Sequence, residues 1–172
     1  MRRCNFTSLF GNGLYYPKID TGILLVGMPG SGKSTLSYKL TQNHGFLHIG
    51  DDVVSFNHNG QKISWGSNHN GPDQLDLRPL PVSTEGIIED NYETVQILPI
   101  QRVYEAKLDL AIMLRKQIYP HIPSQPGYYA YETLEFLKTQ DIPIEEVRVT
   151  ESDIEKTISD VLAIIEKENK CR

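Results

Sequence analysis

The feature that most constrains this sequence is a glycine-rich nonapeptide that directly follows a short apolar run. The apolar run is Ile23-Leu24-Leu25-Val26, and the nonapeptide is Gly27-Met28-Pro29-Gly30-Ser31-Gly32-Lys33-Ser34-Thr35. A buried strand followed by this glycine and lysine spacing and then by a helix is the arrangement of a phosphate-binding loop. The glycines let the backbone wrap closely enough to aim its N–H groups at phosphate oxygens. A glycine-rich turn that only joins strand to helix is the weaker interpretation.

The residue types in the loop predict a nucleotide site that uses ATP and Mg²⁺. Lys33 is expected to reach the β- and γ-phosphates, and the Ser34 hydroxyl to take a Mg²⁺ position. The predicted nucleotide-binding residues are Gly27, Pro29, Gly30, Ser31, Gly32, Lys33, Ser34 and Thr35. A nucleoside triphosphate is therefore the first predicted partner.

Length and charge limit the remaining possibilities. A chain of 172 residues suits a single domain, 1–172, with a core over 12–118 and a C-terminal helical part over 119–172. The net charge is −5 and no run of Lys or Arg occurs, which disfavours nucleic acid as a partner. No stretch approaches the length of a membrane span, and Cys4 and Cys171 have no disulfide or metal spacing, so we expect free thiols in a cytoplasmic protein.

Hydrophobic spacing predicts an α/β fold with a β-rich central sheet, helices packed on it and a C-terminal amphipathic helix. The Asn59-Gly60 pair predicts a hairpin turn, and residues 66–73 are predicted to form a mobile surface loop. In the last helix, Ser152 is the expected cap, with Glu155 three residues later. The predicted strands are two within 6–22 and one each over 23–26, 46–49, 53–56, 62–65, 75–80 and 95–100; the predicted helices are 32–43, 104–117, 129–139 and 152–167.

Two carboxylates, Asp51 and Asp52, follow the predicted strand 46–49. Because the carboxyl ends of strands meet at the ligand crevice of nucleotide-binding sheets, these side chains can reach the γ-phosphate. Adjacent residues of an extended chain point in opposite directions, so one Asp would hold Mg²⁺ and the other would accept the proton of an acceptor hydroxyl. Spacing alone leaves open which Asp does which. An acidic turn without chemistry is the weaker alternative.

The sequence resembles the superfamily of HPr kinase/phosphorylases and phosphoenolpyruvate carboxykinases. The resemblance covers about residues 12–117 and rests on the paired strands before the loop, the loop GMPGSGKST, the motif Ile49-Gly50-Asp51-Asp52-Val53-Val54 and the β-rich stretch after it. Weaker similarities are Leu75-Asp76-Leu77-Arg78 and Pro99-Ile100-Gln101-Arg102. The resemblance implies that Asp51 is the catalytic base and Asp52 the metal partner. It also implies a possible homo-oligomer, because HPr kinases are typically hexamers.

Two positions depart from the family pattern. Thr35 stands where HPr kinases typically carry Glu, and Asn12 stands where they carry His. Both belong to the family's phosphate-handling site, so the departures argue against the reverse phosphorylase activity and against HPr itself as the substrate. The chain is also too short for the oxaloacetate site and second lobe of the carboxykinases.

The favoured hypothesis is therefore an ATP-dependent phosphotransferase that acts on a hydroxyl acceptor, either a protein serine or a small compound. One alternative is a P-loop kinase for small molecules or polynucleotide 5′-hydroxyls, although residues 53–82 predict strands where that class has helices. Another is a regulatory nucleotide-binding module with weak hydrolysis. Charge on the transferring phosphoryl group calls for a further cation, for which Arg102 is the first candidate and Arg78 the second.

Overall fold

The computed structural model describes residues 5–67, 74–77, 96–99, 101–116, 126–149 and 153–170. Thirteen strands and α-helices lie within these ranges, together with a 3₁₀ turn at Pro17–Ile19. In chain order they are β1 (Phe6–Phe10), β2 (Asn12–Tyr16), β3 (Thr21–Gly27), α1 (Lys33–Asn43), β4 (Leu47–Gly50), β5 (Val53–Asn57), β6 (Lys62–Ser67), β7 (Gln74–Leu77), β8 (Gln96–Pro99), β9 (Glu105–Lys116), α2 (Pro126–Thr139), β10 (Ile144–Val149) and α3 (Ile154–Lys170).

A mixed eight-stranded sheet forms the centre of the described structure. Its strand order is β1-β5-β6-β9-β3-β2-β4, and β10 adds to β9. The long strand β9 pairs antiparallel with β6 near its start, and parallel with β3 and β10 further along. Strands β7 and β8 form a separate antiparallel pair. The order places β2 between β3, which leads into the phosphate loop, and β4, which leads into the Asp pair.

Helices cover both faces of this sheet, and each face has its own apolar cluster. On one face, Leu36 and Leu40 of α1 and Val161 of α3 pack against strand residues. On the other, Leu137 of α2 packs with residues of β1, β3, β5 and β9. Burial on both sides explains why β3 carries an uninterrupted apolar run from Ile23 to Val26. The predicted fold class, an α/β fold with a central sheet and a C-terminal amphipathic helix, is confirmed.

The helix predicted over 104–117 is wrong, because this segment is strand β9, residues Glu105–Lys116. Leu110, Ile112 and Leu114 alternate along it and lie buried on one face of the sheet, whereas Ala111 lies on the other. A strand covered on both faces has no polar side, so its apolar run also satisfies helical spacing. Tertiary pairing with β3, β6 and β10 decides the outcome.

The C-terminal region also contains a strand that the sequence pattern did not predict. β10 lies parallel to β9, with Val147 opposite Leu114, and it joins the main sheet. The last helix does pack against the sheet as expected, through Ile158, Val161 and Ile165. Its first turn is capped by Asp153, whose carboxylate accepts the N–H of Lys156 at 2.9 Å. The predicted cap, Ser152, lies outside the described residues.

The other helix and hairpin predictions agree closely with the structure. Helix α1 covers the predicted 32–43 within one residue, and β5 and β6 form the predicted hairpin. Arg78, Cys4, Cys171 and residues 68–73 of the predicted mobile loop lie outside the described residues. Among the described helices, none is long and apolar enough to cross a membrane.

Candidate functional site

The phosphate loop connects β3 directly to α1, as its sequence predicts. Gly30 and Gly32 have φ angles of 76° and 89°, a backbone conformation that side chains other than glycine rarely adopt. A Cβ on Gly27 would lie 2.5 Å from Ser31 Oγ and 2.9 Å from the Leu114 carbonyl oxygen. The glycines are therefore required by this local geometry.

The first turn of α1 offers polar hydrogens to an anion. Gly32 is its N-cap and supplies no side-chain hydrogen bond, and the first N–H groups of a helix have no partner within the helix. The Ser31 hydroxyl is buried without a hydrogen-bond partner among the described residues. The Lys33 ammonium donates to the carbonyl oxygens of Gly27 and Met28, at 2.9 and 3.1 Å. These donors fit a phosphate group, so the loop's residues suit the nucleotide that its sequence predicts.

Burial has the largest effect on the pKa of Lys33. Desolvation lowers the pKa of its ammonium, whereas the nearby carboxylates of Asp52 and Asp51 oppose that shift. The lysine thus carries its charge at a desolvated position beside two acids. An added polyanion would replace the loop carbonyls as the partner of this charge.

Lys33→Met is expected to weaken the binding of a fluorescent ATP analogue about 10- to 150-fold, because it removes a charge-assisted bond to phosphate. Fluorescence titration of purified protein measures this affinity. Lys39→Met is the matched control, since Lys39 lies on the same helix and pairs, among the described residues, with Glu155 at 3.3 Å in a partly exposed ion pair. Equal affinities of the two variants would remove Lys33 from the site.

The carboxylate of Asp51 lies against the phosphate loop. Its side chain follows β4, is 3% exposed and accepts the Ser34 hydroxyl at 3.0 Å. It also accepts a hydrogen bond from the Asn12 amide. Burial, and then repulsion from Asp52, raise the pKa of Asp51 to about 6, although the bonds from Ser34 and Asn12 act in the opposite direction.

Asp52 differs from its neighbour in backbone and exposure. Its φ of 63° places it in the left-handed region, so the expected alternation of an extended strand does not apply. Gly11 N–H donates to its carbonyl oxygen at 3.0 Å, and its own N–H donates to Asn12 Oδ1 at 3.3 Å. Asp52 is exposed, and its charge acts on both Asp51 and Lys33. A strained residue held from both sides is typical of a functional position.

Arg102 lies on the outer edge of β4. Backbone bonds of 2.9 Å join His48 to Gln101 and to Val103, which brings the arginine alongside the strand that carries Asp51. Its guanidinium lies 4.5 Å from the centre of the Tyr104 ring and 5.9 Å from that of Trp65. Its charge also helps to lower the pKa of His48. Arg102 therefore shares a strand edge with the Asp pair.

The family resemblance placed Asn12 at a phosphate-handling position, but the sequence did not predict which groups it contacts. Asn12 is fully buried on β2 and bonds to Ser34, Ser37 and both aspartates. The sequence feature that could have indicated these contacts is a polar amide between Gly11 and Gly13, directly before an apolar segment. A buried amide that is flanked by glycines is a candidate for close contact with other backbone.

Comparisons with known proteins show which fold this chain shares. A family model described as an AAA domain matches residues 23–95, the region that holds the phosphate loop and the Asp pair. No curated protein matches the chain. A solved structure, the Hpr(Ser) kinase/phosphatase from Coxiella burnetii, is 18% identical with a TM-score of 0.54, and the match covers 96% of each chain. The chain therefore has a P-loop kinase-type fold.

Proposed function

We propose that this protein is an ATP-dependent kinase that transfers the γ-phosphoryl group to a hydroxyl acceptor. The main support is the position of the buried Asp51 carboxylate, which lies 3.0 Å from the hydroxyl of Ser34 in the phosphate loop. A loop of this kind binds phosphate, and a carboxylate beside it can take the acceptor's proton. The match to a solved HPr(Ser) kinase/phosphatase over nearly the whole chain supports the same reaction type.

Binding of the nucleotide falls to the loop and the first turn of α1. The N–H groups of residues 27–35 and the Lys33 ammonium would hold the phosphates. Ser34 and Asp52 would hold Mg²⁺, because hydroxyl and carboxylate oxygens are its usual protein ligands. When bound, the ion neutralises charge on the phosphates and orients them.

Proton transfer falls to Asp51. A pKa raised to about 6 suits a general base near neutral pH, because the group is ionised yet still basic enough to accept a proton. Its hydrogen bonds from Ser34 and Asn12 both end on Oδ1, and among the described residues none ends on Oδ2. Oδ2 is therefore the atom that would take the hydroxyl proton while the acceptor oxygen bonds to phosphorus and ADP leaves.

Arg102 is the cation we assign to the developing charge of the phosphoryl group. Its guanidinium lies against the rings of Trp65 and Tyr104, beside the strand that leads into the Asp pair, and a cation there would stabilise negative charge that develops during transfer. The acceptor class is a protein serine or a small hydroxyl compound. We further propose one domain for the whole chain.

Incubation with γ-labelled ATP and Mg²⁺ tests the proposal, first alone, then with candidate hydroxyl compounds and then with cell extract. A kinase transfers label to an acceptor and forms ADP in proportion. The Lys33→Met variant should do neither. ADP formation that no acceptor stimulates would instead support a hydrolysing regulatory module, and nucleotide binding without any ADP would support a binding module.

A further inference from the structure

One buried amide, that of Asn12, bonds both to the phosphate loop and to the Asp pair. Asn12 starts β2, which pairs with β3 on one side and β4 on the other. Its side chain has no exposed area. Because β3 leads into the phosphate loop and β4 into the Asp pair, an amide at this place can bond to both. The contacts run across 22 to 40 positions of sequence, so only the folded chain makes them.

The donor side of the amide faces the oxygens of the site. Asn12 Nδ2 bonds to the Asp51 carboxylate, to Ser37 Oγ at 3.2 Å and to Ser34 Oγ at 3.4 Å. Ser34 in turn donates to the same Asp51 oxygen at 3.0 Å. The amide nitrogen, the hydroxyl and the carboxylate therefore form one closed group, in which each member limits the rotation of the others.

The acceptor side of the amide faces the backbone of Asp52. Its Oδ1 accepts the Asp52 N–H at 3.3 Å, and this bond also determines which end of the amide is oxygen. Gly11 N–H binds the carbonyl oxygen of the same residue at 3.0 Å. Gly11 and Asn12, at the start of β2, thus hold both sides of a left-handed residue that would otherwise relax to a less strained backbone.

We propose that Asn12 is a positioning residue that orients Asp51, Asp52 and Ser34 for a magnesium-bound nucleotide. The inference rests on the proposed function, since it concerns the same site. An amide is suited to this place because it donates to a carboxylate and accepts from a backbone N–H at the same time. An aliphatic side chain supplies neither contact, and a carboxylate supplies only the second.

The test measures how much Mg²⁺ improves binding of a fluorescent ATP analogue, with the chelated protein as reference. We expect Asn12→Ala to bind the analogue without Mg²⁺ within about twofold of wild type. With Mg²⁺ we expect a loss of about 10- to 100-fold, the range typical when a group that orients metal ligands is removed. The midpoint of a Mg²⁺ titration at fixed nucleotide should rise by a similar factor.

Ser37→Ala is the matched control. It removes another hydrogen bond of Asn12, and among the described contacts Ser37 bonds to neither Asp51 nor Ser34. The variant should therefore keep the full improvement in nucleotide affinity that Mg²⁺ gives, which we call the magnesium gain. Asn12→Ser provides a smaller polar side chain if the alanine variant does not fold, and we expect the same loss of the gain. A gain equal to wild type in either Asn12 variant overturns the inference.

Failure of the proposed function looks different from failure of this inference. If wild-type protein binds no nucleotide with or without Mg²⁺, the proposed function is wrong. If wild type binds with a clear magnesium gain and the Asn12 variants keep that gain, only the positioning role is wrong. A variant that loses affinity equally in both conditions, together with a lower melting temperature, also contradicts the positioning role.

Discussion

Asp51→Asn is expected to slow phosphoryl transfer about 10²- to 10⁴-fold, the usual range for loss of a general base. The same change is expected to stabilise the metal-free protein at pH 7 by about 3 kcal/mol. Transfer slows because the proton acceptor is lost, and stability rises because a charged carboxylate that is buried beside Asp52 is removed. An amide at this position keeps an oxygen that Ser34 and Asn12 can bond to, but it carries no charge and accepts no proton.

The sign of the stability change follows from the pKa. The carboxyl of Asp51 has a pKa of about 6 in the folded protein, against an ordinary value of 3.8. Its contribution is therefore fully present below pH 3.8 and is lost as the pH rises through 6. At pH 7 the folded state bears the whole cost of ionising a buried acid, and the amide removes that cost.

Urea unfolding in the presence of a chelator measures the stability change through the fluorescence of Trp65, the single tryptophan. Asp109→Asn is the matched control, since Asp109 is a buried acid next to the start of β3, paired with Lys107 at 3.3 Å. The control should not gain stability and should leave transfer unchanged. An Asp51→Asn protein that transfers phosphate at the wild-type rate would remove Asp51 from the role of base.

Local signals predicted the parts of this fold that local chemistry determines. The glycines of residues 27–32 specify the loop before α1, and Asn59-Gly60 specifies the turn of the β5-β6 hairpin. Strand β9 was mistaken for a helix because its burial on both faces depends on β3, β6, β10 and the helices that cover them. No window of sequence contains that information.

In the candidate site, too, the sequence predicted what local motifs determine and not what distant strands determine. The sequence indicated Lys33 and Ser34 because the loop motif fixes their spacing, and the Asp pair because it directly follows an apolar strand. The family resemblance placed Asn12 at a phosphate-handling position, but the sequence predicted neither its contacts nor a role for His48, because their surroundings come from strands that are distant in sequence. It also assumed that Asp51 and Asp52 alternate, whereas contacts from Gly11 and Asn12 hold Asp52 in the left-handed region.

Between pH 7 and pH 4 the wild type is expected to lose about 3 kcal/mol of unfolding free energy through His48, and His48→Phe is expected to avoid this loss. His48 is fully buried on β4, and neither ring nitrogen has a hydrogen bond among the described residues. Burial, and then the charge of Arg102, lower the pKa of its ring to about 4, from an ordinary 6.5. In the wild type, the stability contributed by a neutral His48 is present above pH 6.5 and is lost as the pH falls toward 4. Phenylalanine does not titrate, so the variant should not show this loss.

The contributions of His48 and Asp51 oppose each other over almost the same pH range. Acid destabilises through His48 and stabilises through Asp51, so the wild type should show only a small net slope from this pair between pH 4 and 6. In a variant without Asp51, the unfolding free energy should fall toward acid pH because of His48. In a variant without His48, it should rise toward acid pH because of Asp51. Urea unfolding across this range, with the exposed His58→Phe as control, measures both as differences from wild type. Parallel curves for wild type and His48→Phe would mean that the folded protein does not hold His48 in its neutral form.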